Sequence, residues 1–407
     1  MKSSKNREGL RSILASLISI AIGLLSGCLI IFIIGLANGM SATEVINGIG
    51  LVVLGMFCTG TTESGALIFG FNAAKIGNML FTAMPLIMTG LSVAVANKTG
   101  LFNIGASGQY LAGTCATIFV ALSLPAAVLP AWVIWVLALL AGFLAGALWG
   151  AIPGLLKALL NINEVISCIM TNWIAANLVT WLFDISNYKN VVEGTKTQFI
   201  YKTTFNNVAT SKLGLDRIFA GSQVNAGILV AIIFAVVMYI IFRRTTFGYE
   251  LQACGTNRYA ARYAGIKDKQ KIVISMALAG ALAGVGAALY WLSGNTEFAW
   301  STYQTLPAEG FNGIPVALLA SNNSVGVIFS GMFMSMLSVN GQQLKNMTSF
   351  NEYITDVITA VIVYMSAFSL IIKMWLGKKN GRKDDLRGEK PAKPAAAKAA
   401  KDAKEGQ

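Results

Sequence analysis

The stretch ILASLISIAIGLLSGCLIIFIIGLA, from Ile13 to Ala37, runs for 25 residues without a charge. A helix needs about 20 predominantly apolar residues to cross the hydrocarbon core of a bilayer, and this run is long enough. The basic flank before it (Lys2, Lys5, Arg7, Arg11) resembles the n-region of a secretory signal. The apolar run is too long for a signal core, however, and no convincing small-residue cleavage site follows. It reads as an uncleaved first span. The whole chain agrees: of 407 residues, 55% are hydrophobic and 12% charged, against about a quarter charged in an ordinary globular protein. A mean hydropathy of +0.63 leaves more apolar surface than a soluble fold hides. There is no histidine, which excludes His-ligated zinc, a Ser-His-Asp triad and a histidine general base.

Outward from residue 37, further spans are expected at 79–96, 106–124, 131–152, 165–183, 223–242, 272–293, 308–320, 324–340 and 354–376. Segments 308–320 and 324–340 are short and broken by Gly, Pro and Asn, and Val45–Cys58 reads as a re-entrant or interfacial piece. The expected fold is all-α: a polytopic membrane protein of about ten transmembrane helices with two interrupted segments and both termini cytoplasmic. Basic residues favour the cytoplasmic side. This layout places 24 of the 31 Lys and Arg inside and splits the 18 acidic residues evenly, leaving the inner side at +15 and the outer at −2. One early span more or fewer would turn the basic cluster at 243–271 outward. The chain then divides into a cytoplasmic N-terminus (1–12), a transmembrane domain (13–376) with an extracytoplasmic loop (184–222) and a cytoplasmic loop (243–271), and a basic tail (377–407). The Lys- and Ala-rich tail is expected to be disordered, either solvated or touching anionic headgroups.

The net charge of +13 follows from this topology, so no nucleic-acid partner is expected. Cys28, Cys58, Cys115, Cys168 and Cys254 are scattered without a CxxC pair and read as packing thiols, with no metal or disulfide framework. No GxxxxGK[ST] is present, since Gly377-Lys378 is followed by Lys379. The chain is therefore expected to bind no cofactor and not to be an enzyme; ATP, if used, is hydrolysed by another subunit.

Two polar segments stand out. In 243–271, RRTTFGYELQACGTNRYAARYAGIKDKQK, Thr256 or Asn257 can cap a short helix and Gly265 can end it. Arg258 and Arg262 are spaced i,i+4, as are Tyr259 and Tyr263, so each pair shares a face. This is either a helix that docks on a cytoplasmic partner, where Tyr and Arg make good anchors, or a basic loop that only fixes orientation. The second segment runs from Asn97 to Gln109 and has a counterpart in Gly310–Pro315 followed by Ser321-Asn322-Asn323. Paired Gly/Pro interruptions in the two halves point to a substrate path; tight turns at the membrane surface are the alternative.

These residues resemble a known family. GLFNIGASGQ (100–109), GALWGAIPGLLKALLNINEVI (146–166), RTTFGYELQACGTNRYAARYAGI (244–266) and GFNGIPVALLASNNSVG (310–326) are similar, in order, to motifs of permease subunits from bacterial nucleoside ABC importers, within the branched-chain amino acid/simple-sugar permease superfamily. The likeness covers about 79–376, and the extra N-terminal span resembles the longer of the two permeases such systems usually carry. It implies a multi-pass protein of the bacterial cytoplasmic membrane, importing a small-molecule nucleoside. It also implies three partners: a cytoplasmic ABC ATPase that binds ATP, a second permease subunit (a paralogue or another copy), and an extracytoplasmic substrate-binding lipoprotein. The carried-over coupling segment comprises Gly255, Asn257, Arg258, Tyr259, Ala261, Arg262 and Gly265, with Gly248, Ala260 and Ile266 also matching. Asn103, Ser107, Gln109 and Asn312 are the candidate substrate path, with Gly105 and Gly108 in the same motif. The chain departs from the family at Ser107, where Glu is common, at Pro315 (Ala) and at Ala320 (Gly). Glu164-Val165 matches a recurring pair of no derivable role.

A simple sugar would satisfy the same neutral polar groups, so a ribose-type permease is the alternative. A passive facilitator or secondary transporter is disfavoured, since only Asp356 and Glu164 are counted as ionisable groups in or beside the spans. Tyr188, Phe199, Tyr201 and Phe205 in the outer loop are expected to face the binding protein. Gly142, Gly146 and Gly150, and Gly280 and Gly284, are expected to pack helices closely. Trp132, Trp181, Trp300 and Trp375 are expected to lie in aromatic belts.

Overall fold

A computed structural model describes residues 2–125, 127–190, 192–197, 208–301, 305–351, 353–368 and 374, except the side chains of 2–17, 19, 363, 366 and 367. The helices are α1 (Lys2–Ala37), α2 (Ala42–Leu54), α3 (Ala73–Lys98), α4 (Ala106–Ser123), α5 (Ala131–Leu160), α6 (Glu164–Ile185), α7 (Leu215–Ile218), α8 (Gly227–Arg244), α9 (Thr246–Thr256), α10 (Arg258–Tyr263), α11 (Asp268–Trp291), α12 (Ala308–Leu319), α13 (Gly326–Met347) and α14 (Tyr353–Ala367). Each of the ten expected spans coincides with a helix over most of its described residues. Six (in α1, α3, α5, α6, α8 and α11) are long and apolar enough to cross a membrane. The Val45–Cys58 segment is the short helix α2, closed by a Ser41/Glu44 capping box. It runs through a 3-10 turn into a small antiparallel pair, β1 (Cys58–Thr61) with β2 (Leu67–Phe69).

Burial sorts the helices. The apolar window of α3 is 89% buried and that of α11 78%, against 22% for α5. Helices α3 and α11 therefore form the centre, with α5 on the outside. On α5, Leu137, Leu140, Leu144, Leu148, Ile152, Leu155 and Leu159 are exposed at three- and four-residue spacing, a single apolar stripe. Its opposite face carries Gly142, Gly146 and Gly150, which meet α11 backbone against backbone. A Cβ on Gly280 would fall within the Gly146 carbonyl, and one on Gly284 within that of Gly142. The expected glycine packing is present, and no larger residue fits there.

The outer loop is partly described. Tyr188 packs edge-on against Phe119, 5.1 Å between centroids, and so is half-buried. Phe199, Tyr201 and Phe205 lie outside the described residues, as do Trp375, the end of the last expected span and the 377–407 tail. Trp132 and Trp181 are exposed, whereas Trp300 is only 4% exposed. That corrects the belt expectation: the Trp300 indole stacks on Phe183 (5.2 Å) and its Nε1 donates to Asp184 (2.7 Å). Proximity to a span end in sequence did not distinguish a headgroup anchor from a packed ring.

Glu164 acquires a role. Its carboxylate pairs with Lys157 at 2.9 Å, across the tight turn in which Asn161 takes a left-handed φ of 55° and Asn163 caps α6. The pair clasps the α5–α6 hairpin.

Candidate functional site: two helix starts and the segment packed beneath them

Helix α3 ends at Lys98, and the chain reverses at Gly100, whose φ of 73° favours glycine. Asn103 holds the next turn. Its Nδ2 donates to Ser92 Oγ (3.0 Å) and Gln109 Oε1 (2.8 Å), and its Oδ1 accepts from the Gly105 N–H (3.1 Å) and Gln109 Nε2 (3.1 Å). Asn172 of α6 clamps the same turn, accepting from the Gly108 N–H (2.9 Å) and donating to the Ile104 carbonyl (3.0 Å). Asn172 is absent from the sequence-based site, although an Asn inside an apolar helix is itself a signal of an interhelical bond.

The second interruption meets the first. Helix α12 starts after Pro307, and the Ser107 hydroxyl donates to the Pro307 carbonyl at 3.0 Å. A Cβ on Gly310 would come within 2.5 Å of the Ser107 N, so the first turns of α4 and α12 lie directly against each other. Gly313 packs on Thr89, Val316 on Gly90, and Asn97 Nδ2 donates to Asn322 Oδ1 at 2.9 Å. Helix α12 thus runs parallel to α3, and its start stands beside the middle of α3.

The structure brings Asn103, Ser107 and Gln109 together. Asn103 and Gln109 are at most 1% exposed and their amides satisfy one another; they build the turn and offer no free group to an open space. Asn312 is exposed on α12, apart from them. Asn103→Leu leaves the buried Gln109, Ser92 and Gly105 groups unpaired, at about 1–3 kcal/mol each. A clear fall in melting temperature in detergent is expected, and an unchanged melt would remove Asn103 from this role.

One correction concerns charge. Glu309, inside the expected span 308–320 but omitted from its ionisable groups, sits in the first turn of α12. The claim that only Asp356 and Glu164 lie in or beside spans fails here. The helix start, and hence the depth of Glu309, is set by packing of α12 on α3.

Below this junction, the 243–271 loop folds into two short helices. The Thr245 side chain caps α9, accepting from the Gly248 N–H at 3.1 Å. Asn257 caps α10, accepting from the Ala260 N–H at 3.0 Å, and Gly265 ends it with a φ of 83°. Arg258 turns inward to Asp268 (Nε to Oδ2, 2.6 Å), Lys271 pairs with Glu250, and Ala261 is buried. Tyr259 and Tyr263 are 77% and 95% exposed, and Arg262 is exposed beside them. The expected Arg258/Arg262 pair is therefore divided between an internal ion pair and a free surface. Burial raises the Cys254 thiol pKa, consistent with a packing thiol. Gly255 lies against the turn after α3, where a Cβ would come within 2.8 Å of the Gly100 N. Ser275 Oγ of α11 donates to Thr99 Oγ1 of the same turn at 2.7 Å.

Residues 75–367 match the family described as branched-chain amino acid transport system / permease component. The chain is 36% identical over 312 residues to the nucleoside ABC transporter permease protein NupB of Lactococcus lactis, covering 77% of this chain and 84% of the relative. It is 33% identical over 369 residues to the guanosine ABC transporter permease protein NupP of Bacillus subtilis, covering 91% and 97%. A glucose ABC transporter permease protein, TsgB13 of Haloferax volcanii, is 30% identical over 305 residues, covering 73% and 77%.

Proposed function

Because the chain belongs to the family of permease components of branched-chain amino acid transport systems, we propose that it is the membrane-spanning subunit of an ABC importer that carries nucleosides inward. The observation that carries this reading is the contact of Gly255 with the turn at Gly100. It joins the end of α9, which leads straight into the exposed helix α10, to the segment whose far end is the α4–α12 junction. A cytoplasmic ATPase that binds and hydrolyses ATP docks on Tyr259, Arg262 and Tyr263. Asn257, Ala261 and Gly265 fix that helix, Arg258 ties it to α11, and its displacement is passed through Gly255 to the start of α4. Asn103, Gln109 and Ser107, whose fully buried hydroxyl is held by the Pro307 carbonyl, act as positioning residues, while Asn312 stands on the cargo side. Ten spans with cytoplasmic termini, a second permease subunit and a substrate-binding lipoprotein complete the assembly, in the bacterial cytoplasmic membrane. The nucleoside relatives support the cargo.

Uptake of labelled guanosine and uridine by cells with and without this gene, with excess unlabelled ribose as competitor, tests the reading. Uptake lost on deletion and insensitive to ribose is expected. Uptake that ribose abolishes would move the cargo to a sugar.

A further inference from the structure

Glu309 is a carboxylate beside the middle of a central helix. Among the described residues it forms no ion pair. Gly313, one turn on, packs against Thr89, which places Glu309 level with about Pro85, near the midpoint of α3 (Ala73–Lys98). It is partly accessible, so it borders open space. Its two carboxylate oxygens offer several acceptor positions.

A second observation lies on the facing helix. Tyr110 is 1% exposed, yet its hydroxyl has no hydrogen-bond partner among the described residues. A buried hydroxyl left unpaired costs free energy and calls for an explanation. Tyr110 follows Ser107 by one turn, and Ser107 lies on Gly310, the residue after Glu309, so Tyr110 stands on the helix that the start of α12 packs against. Gly286 packs on Met88, and Tyr290, one turn later, stacks on Phe81 at 5.4 Å. Around one unpaired carboxylate, then, stand an orphan hydroxyl and a partly accessible phenol, each a turn farther from α10.

We propose that Glu309, with the Tyr110 hydroxyl beside it, is the recognition point for the cargo, its carboxylate accepting two adjacent hydrogen-bond donors of a neutral ligand. The inference rests on the nucleoside reading. A nucleoside offers such a donor pair in two places, the vicinal ribose hydroxyls and the N–H/NH2 edge of guanine. Charge-assisted, paired bonds of this kind are among the stronger ones available.

The test measures uptake of guanosine, inosine, 2′-deoxyguanosine and 2′-deoxyinosine by the intact transporter in membranes, comparing wild type with Glu309→Gln and Tyr110→Phe. Guanosine has both donor pairs, inosine only the diol, 2′-deoxyguanosine only the base edge, and 2′-deoxyinosine neither. Loss of the carboxylate is expected to raise the KM for guanosine by about 10- to 100-fold and to leave 2′-deoxyinosine unchanged. A matching rise for inosine assigns the diol, and one for 2′-deoxyguanosine the base edge. Tyr110→Phe is expected to raise KM in the same pattern by a smaller factor. Equal losses for all four substrates, or none for any, would overturn the proposal. Should wild type transport none of them, the nucleoside reading itself fails, a result separate from any effect of the substitution.

Discussion

Gly280→Leu is expected to yield no folded transporter subunit. The α5–α11 seam has no side-chain layer to yield, because Gly280 faces the Gly146 carbonyl and Gly284 that of Gly142. Overpacking an ordinary core costs about 1–3 kcal/mol, and here the overlap is with backbone on the partner helix. Folded proteins hold only about 5–15 kcal/mol in reserve, so separation of α5 from α11 should abolish the monodisperse peak in detergent size exclusion. Gly194, with nothing within 4 Å of a Cβ, supplies the control: Gly194→Ala should purify as wild type does. A Gly280→Leu protein that elutes and melts normally would show that the seam opens without penalty.

Arg262→Glu carries the second large effect, on function alone. Arg262 is exposed on α10 between two exposed tyrosines, so charge reversal leaves the fold intact. At an interface, loss of an arginine anchor costs about 2–4 kcal/mol, or roughly 30- to 1,000-fold in affinity, before any repulsion is added. Co-purification of the ATPase and uptake should both disappear while membrane insertion and melting temperature stay at wild-type values. Normal uptake in this variant would place ATPase docking elsewhere. Arg258→Ala is the instructive contrast. It breaks the ion pair to Asp268 and should lower stability, a result that separates the arginines' two tasks.

Much of this was legible in the sequence, for physical reasons. Apolar length marked the helices, and small residues four apart marked the seam. The Asn257 and Gly265 signals bounded α10 correctly, because cap and left-handed turn chemistry is local. The reading failed where tertiary register decides. Glu309 lay inside the expected span 308–320, yet its depth was not legible, because nothing near it in sequence reports that Gly313 packs on Thr89. Trp300 looked like a belt residue because its partners, Phe183 and Asp184, lie more than a hundred residues away. Asn103 and Gln109 were legible as a polar break between helices but not in their orientation. Their amides face each other, a mutual satisfaction that one-dimensional spacing does not encode.

The glycine seam has a mechanical consequence. A joint of backbone on backbone has no rotamers to switch and no slack to take up, so α5 and α11 behave as one welded beam. In the proposed transport cycle, alternation between open and closed forms then requires articulation at the joints that are made of hydrogen bonds between short elements. The start of α4, tied to the start of α12 by the Ser107 hydroxyl on the Pro307 carbonyl, is such a joint, and the turn after α3, tied at Thr99 to the Ser275 hydroxyl, is another. The beam provides the fixed frame against which these two joints move.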